Sequence, residues 1–117
     1  MNDLYQERFG AKFGFPPPSK LMDLLGNTKL VGLAPVRFRF DDKPFVVEIQ
    51  YFSAPSEESN YDLGSTYYRF AVTSDGFDLL VDLTDKDLPI IQDEFGSRDD
   101  TGLTIGDLLK ASVEQIA

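Results

Sequence analysis

From Val36 the chain alternates apolar and charged residues, with Val36, Phe38 and Phe40 set against Arg37 and Arg39. A period of two belongs to a strand that keeps one face in a core and turns its arginines to water. Asp41-Asp42-Lys43-Pro44 is a turn cluster, and the β-prone run FVVEIQYF from Phe45 to Phe52 resumes the pattern, so the two segments read as an antiparallel hairpin. A second hairpin follows: Tyr67 to Thr73, the tight turn Ser74-Asp75-Gly76-Phe77, and Asp78 to Leu83. Between the hairpins, Ala54 to Gly64 (APSEESNYDLG) reads as a surface loop. Leu88 to Phe95 reads as a further strand, with Pro89 placing its start at a sheet edge.

Helices are expected on both sides of this β-rich middle. Asn2 or Asp3 can cap a short helix carrying Tyr5, Phe9 and Phe13 as an aromatic stripe. Phe15-Pro16-Pro17-Pro18 then forces extended backbone, because each proline disfavours the helical region in the residue before it. Ser19 is the expected N-cap of a second helix with Leu21, Met22, Leu24 and Leu25 on its apolar face, ended by Gly26-Asn27. At the other end Thr104 and Asp107 form an Asp version of the capping box. Ile105, Leu108, Leu109, Val113 and Ile116 continue at helical spacing, predicting a closing helix from Thr104 to Ile116. The expected class is α+β: an antiparallel sheet of four to five strands, with two short N-terminal helices and one C-terminal helix packed on it. Its 117 residues suit a single domain spanning 1–117.

What is missing narrows the chemistry. With no Cys and no His there is no Ser-His-Asp triad, no Cys-His nucleophile pair, no haem or Fe–S ligation of the usual kind and no structural zinc site. Carboxylate chemistry, a Lys nucleophile or an oxygen-ligand cation site remain. No apolar run approaches the roughly 18 residues that span a bilayer. The acidic start MNDLYQERFG lacks a secretory pattern, so the expected setting is cytoplasmic, with no membrane partner.

The net charge of −9 is unevenly spread: residues 75–107 hold ten acids and two bases, and the remainder is nearly balanced. Two readings stand. Asp75, Asp99, Asp100 and Asp107 can serve turns and a cap while Asp82, Asp85, Asp87, Asp93 and Glu94 solvate the surface. Alternatively these acids form a patch that meets a basic protein, opposite fields accelerating the encounter. Both disfavour nucleic acid, whose phosphates require clustered Lys and Arg.

Specific motifs are absent. A calcium loop starting at Asp82 has Lys86 at its fifth position and Asp87 where Gly is required, and one starting at Asp99 has Leu103 at its fifth. No phosphate-binding glycine motif occurs, and nothing selects a carboxylate pair for glycoside hydrolysis. No cofactor or metal is therefore expected. Phe38, Phe40, Phe45, Phe70 and Phe77 fit a core face better than a base-stacking platform. Tyr51, Tyr61, Tyr67 and Tyr68 border the polar loop, where they suit edge packing or contact anchors; Tyr51 and Tyr61 are the candidates for partner contact.

Phe15-Pro16 ahead of a Leu-rich helix ending Leu25-Gly26-Asn27, the turn Ser74-Asp75-Gly76 leading to Val81-Asp82-Leu83, and a closing helix from Thr104 to Ile116 follow one another in this order. This arrangement resembles the SUKH superfamily, the Smi/Knr-like proteins that include cell-wall-synthesis regulators and bacterial toxin-immunity proteins. Gly26-Asn27 reverses the order usual in that family, and the chain has no tryptophan. The resemblance implies a non-enzymatic binding scaffold, most simply an immunity protein that blocks a cognate toxin, often a nuclease. Alternatives are a housekeeping or regulatory interaction module and an acidic inhibitor that imitates nucleic acid. The candidate partner-binding residues are Asp82, Asp85, Asp87, Asp93, Glu94, Asp99, Asp100, Tyr51 and Tyr61.

Overall fold

The Val36 to Phe40 alternation forms strand β1 (Val36–Arg39), which pairs antiparallel with β2 (Val46–Phe52) and buries Val36 and Phe38. The computed structural model describes residues 18–52 and 67–116, together with Glu7, Gly10 and Gly14. Two short helices precede β1: α1 (Ser19–Leu25) and α2 (Thr28–Leu33). After β2 come β3 (Tyr67–Thr73), β4 (Asp78–Asp82), β5 (Pro89–Glu94), β6 (Ser97–Thr104), α3 (Ile105–Lys110) and β7 (Ser112–Gln115). All seven strands form one antiparallel sheet in the order β6-β5-β4-β3-β2-β1-β7.

Register shifts bend this sheet at three places: Ile49/Tyr51 in β2, Arg69/Ala71 in β3, and the β5–β6 pairing at Ile90/Ile91. An extra residue on one strand raises the local twist, and three such irregularities curl the sheet into a half-barrel. At the third, Gly102 takes φ +76°, and Thr101 Oγ1 donates to the Ile90 carbonyl at 2.7 Å. The helices pack on one face, here the inner one. Phe38, Ile49, Tyr68, Leu79, Val81, Ile90 and Leu103 from the strands meet Leu21, Leu24, Ile105 and Leu108 from α1 and α3. Each large apolar side chain so buried contributes roughly 1.5–3 kcal/mol.

The expected four to five strands with three packed helices is corrected: the chain is mostly β, with seven strands and helices of only six or seven residues. The first expected helix, with Tyr5, Phe9 and Phe13, lies outside the described residues. The closing helix does start at the predicted capping box, where Asp107 N–H donates to Thr104 Oγ1 (3.2 Å) and Thr104 N–H to Asp107 Oδ2 (2.9 Å). It stops at Lys110, however, because Ala111 is extended (φ −72°, ψ 154°) and Ser112–Gln115 pairs with β1 as β7. Leu109 and Val113, expected on the buried stripe, are therefore exposed at 41% and 39%.

Three smaller corrections follow. Ser19 is the first helical residue and Pro18 the N-cap, with no side-chain cap bond. The unexpected α2 begins at Thr28, just after Asn27, whose Oδ1 accepts from Leu30 N–H at 3.0 Å, so Asn27 caps one helix as well as following another. Pro89 opens an internal strand: β6 covers β5, and the ladder to β4 begins only at Ile90.

Candidate partner-binding surface

Side chains opposite the core show what each part of the sheet does with its charge. On the outer face of β2, β1 and β7, Arg37 donates to Glu48 through Nε (2.8 Å) and Nη2 (2.6 Å) and to Glu114 through Nη1 (3.2 Å). Arg39 Nε adds a bond to Glu114 at 2.7 Å. The register dictates this, since Arg37 lies opposite Glu48 on one side and Glu114 on the other. Hydrogen bonds from Arg39 and then Arg37 hold the Glu114 carboxyl below its ordinary value, and those to Glu48 and Glu114 hold Arg37 above its own. Two arginines and two glutamates thus staple three strands.

The predicted acids do not come together as one face. Asp82, Asp85 and Asp87 lie at the β4–β5 connection, whereas Asp93 and Glu94 lie at the other end of β5, and Asp99 and Asp100 lie along the edge strand β6. Several serve the backbone. Asp82 accepts from Thr84 N–H and Oγ1 (2.9 and 2.6 Å), Asp85 from Asp87 N–H (2.9 Å), and Asp100 from Gly102 N–H (2.8 Å). Asp93 is buried at 8% exposure, accepting from Gly96 N–H (2.9 Å) and Arg98 Nε (3.1 Å). Among the described residues the side chains of Asp75, Asp87, Glu94 and Asp99 have no hydrogen bond or ion pair. Tyr51, 48% exposed, stands opposite Val72 on the outer face, with two strands, β3 and β4, between it and Asp93. Tyr61 lies outside the described residues.

Two of those free carboxylates border a cavity of about 410 Å³ on the inner face, in the part of the curl that the helices leave open. It crosses β2 to β6: Val47, Leu79, Ile90, Leu103 and Leu108 supply apolar walls, Phe45 and Phe77 lie at the hairpin ends, and Glu48, Asp75, Asp99 and Asp100 are its acidic lining residues, of which Glu48 is bound to Arg37 and Asp100 to Gly102 N–H. No Lys or Arg lines it among the described residues. Register places Asp99 beside Gln92 and, through it, Leu79, so an acid on an edge strand borders an apolar floor. A smaller hollow of about 250 Å³ lies between the helices and β7, with Leu30, Leu33, Leu109 and Val113 in its walls.

A third feature is the β5–β6 hairpin tip. Phe95 and Gly96 both have positive φ (52° and 89°), the backbone of a type I′ two-residue turn. Phe95 is fully exposed. Asp93 ties the turn from below through its bonds to Gly96 and Arg98, and the Arg98 guanidinium lies 4.7 Å from the centre of the Tyr67 ring. Sequence reasoning treated Phe95 as the last residue of a strand and Phe45 as core, yet Phe45 is 43% exposed and leans on Phe40 with ring centres 6.0 Å apart. Gly96, directly after the β-prone run that ends at Phe95, was the available turn signal.

No known family, curated protein or solved structure matches the chain in any of the three comparisons made. Among the described residues no group of three Asp or Glu is placed to hold a metal ion, and no helix is long and apolar enough to cross a membrane. What remains is an antiparallel half-barrel whose inner-face groove has an apolar floor and two acids, Asp75 and Asp99, without a partner among the described residues.

Proposed function

We propose that this chain is a non-enzymatic domain that binds a basic protein, acting in the cytoplasm as a SUKH-type immunity protein that neutralises a cognate toxin. The supporting observation is the inner-face groove, whose apolar floor is bordered by the unpartnered acids Asp75 and Asp99 with no base among its described lining residues. Apolar surface supplies affinity on contact, and carboxylates select partners that bring Lys or Arg. A phosphate backbone is repelled by the same groove, so the partner is protein and not nucleic acid. A nuclease is a fitting target, because its substrate cleft carries the cations these acids complement. The resemblance of the segments Phe15-Pro16, Leu25-Gly26-Asn27 and Ser74-Asp75-Gly76 to immunity proteins adds the toxin to this reading.

The test is to mix the purified chain with the product of the gene adjacent to its own and measure complex formation and residual toxic activity. A stable complex with the activity lost supports the proposal. A complex that leaves the activity intact replaces immunity with a regulatory interaction, and the absence of any complex with a basic neighbour removes the binding reading itself.

A further inference from the structure

We infer that the inner-face groove takes a projecting segment of the partner in which one large apolar side chain is flanked closely on both sides by Lys or Arg. The inference rests on the reading of this chain as a protein-binding domain, and it names what the groove holds. Its volume of about 410 Å³ falls at the small end of ligand pockets, which run roughly 300–1,000 Å³, so it suits a single anchor and not an extended interface. Phe45 and Val46, 43% and 42% exposed, line the groove above a floor that reaches Leu79, Ile90 and Leu103, so an inserted ring or branched side chain meets a preformed apolar surface. Asp75 belongs to the β3–β4 turn and Asp99 to edge strand β6, so carboxylates approach the groove from two separate elements. An anchor with a cation on each side satisfies both acids while its apolar group fills the space between.

Other occupants fit less well. A second copy of this chain would offer Phe95 as its most exposed aromatic, but Phe95 shares its surface with Asp75, Asp78 and Glu94 and would bring carboxylates against carboxylates. An anionic membrane surface meets the same repulsion. An uncharged apolar ligand gains nothing from Asp75 or Asp99.

The experiment uses the full-length chain with labelled Ile and Leu methyl groups, titrated with the capped peptide Lys-Lys-Gly-Phe-Gly-Lys-Lys and followed by NMR. Two control peptides replace all Lys by Glu, or Phe by Ser. The expected result is saturable shifts of the Leu79, Ile90 and Leu103 methyls with the first peptide only. In the double variant Asp75→Lys/Asp99→Lys the dissociation constant rises at least about tenfold, since both charge contacts become repulsive. Both carboxylates are exposed and without partners, so the variant's methyl spectrum away from the groove should be unchanged. Equal shifts with the Glu peptide, shifts confined to other residues, or no shifts at all overturn the inference. The double variant's complex with the basic neighbouring protein separates the two levels. If the peptide fails while that complex forms with undiminished affinity, the groove assignment is wrong and the binding reading stands; if neither the wild-type nor the variant chain forms the complex, both are wrong.

Discussion

Where β2, β1 and β7 lie side by side, two glutamates meet two arginines at 2.6–3.2 Å and the outer face closes on itself electrically. Across the sheet, the segment from Asp75 to Asp107 holds ten acids against two bases, and one of those bases, Arg98, is committed to Asp93. At the first end the acids are structural, because cross-strand register brings each to a guanidinium. At the second, some carboxylates are absorbed by turns and by the α3 cap, but Asp75, Asp87, Glu94 and Asp99 have no hydrogen bond or ion pair among the described residues. Unmatched charge costs stability through self-repulsion. The difference therefore separates carboxylates that hold the fold from carboxylates available to another molecule.

The largest expected effect tests whether the matched end exists as described. Glu114 reaches Arg37 only because the chain leaves α3 at Ala111 and becomes β7. On that path Leu108 is core and its neighbour is not. Leu108→Ala should cost about 2 to 5 kcal/mol in urea unfolding. Leu109→Ala and Val113→Ala should stay within about 0.5 kcal/mol. Comparable losses at all three positions would restore the continuous helix and dissolve the ion-pair ladder.

Asp93 is the buried acid at the unmatched end, and it holds structure. Asp93→Ala removes the acceptor of the Gly96 N–H and of Arg98 Nε, and should cost about 1 to 3 kcal/mol by thermal melting. Asp87→Ala, with no side-chain partner, should change stability by less than about 0.5 kcal/mol.

A smaller effect of opposite sign is expected at the tip beside it. Phe95 has φ 52° and no burial to offset the strain, so Phe95→Asn should raise stability by about 1 kcal/mol, asparagine being at ease in that region. A loss on that substitution would show that Phe95 packs against the fold.

The smallest effect is one of pH. Hydrogen bonds from Arg39 and Arg37 lower the Glu114 pKa in the folded state from its ordinary 4.5. A lowered carboxylate contributes stability that is fully present above the unfolded value and lost as pH falls through the folded one. Protection of β7 amides from hydrogen exchange, corrected for intrinsic rates, should therefore be steady above about pH 5 and decline below pH 4.5. Glu114→Gln should remove its share of that decline; an identical pH profile in this variant would assign the acid sensitivity to other groups.

Much of the sheet was legible because inward and outward residues alternate along it. Val36 and Phe38 against Arg37 and Arg39 located β1, and Ser74-Asp75-Gly76-Phe77 located the turn between β3 and β4. β6 was not legible. Its sequence SRDDTGLT is polar nearly throughout because it is an edge strand, and its one buried residue, Leu103, follows the bulge. β7 was misread because Val113 falls four residues after Leu109, a spacing that cannot separate a helix from a turn of helix followed by a strand. What decides is remote in sequence: Arg37 and Arg39 sit more than 70 residues from Glu114 and reward the strand. The acid excess could be counted from composition alone. Its division between two ends of the sheet and an edge could not, because the turns and register that divide it are set by pairing.

If the unmatched carboxylates serve recognition and not folding, association kinetics will show it. The wild-type chain and the Asp75→Lys/Asp99→Lys variant are each passed over the immobilised basic product of the neighbouring gene, at salt from about 0.05 to 0.5 M, over which the screening length shrinks from more than 10 Å to a few Å. The wild-type association rate should fall steeply with salt. The variant should associate more slowly at low salt, lose most of the salt dependence, and melt within a few degrees of wild type. A rate indifferent to both salt and the charge reversal, or a variant that fails to fold, would contradict the claim.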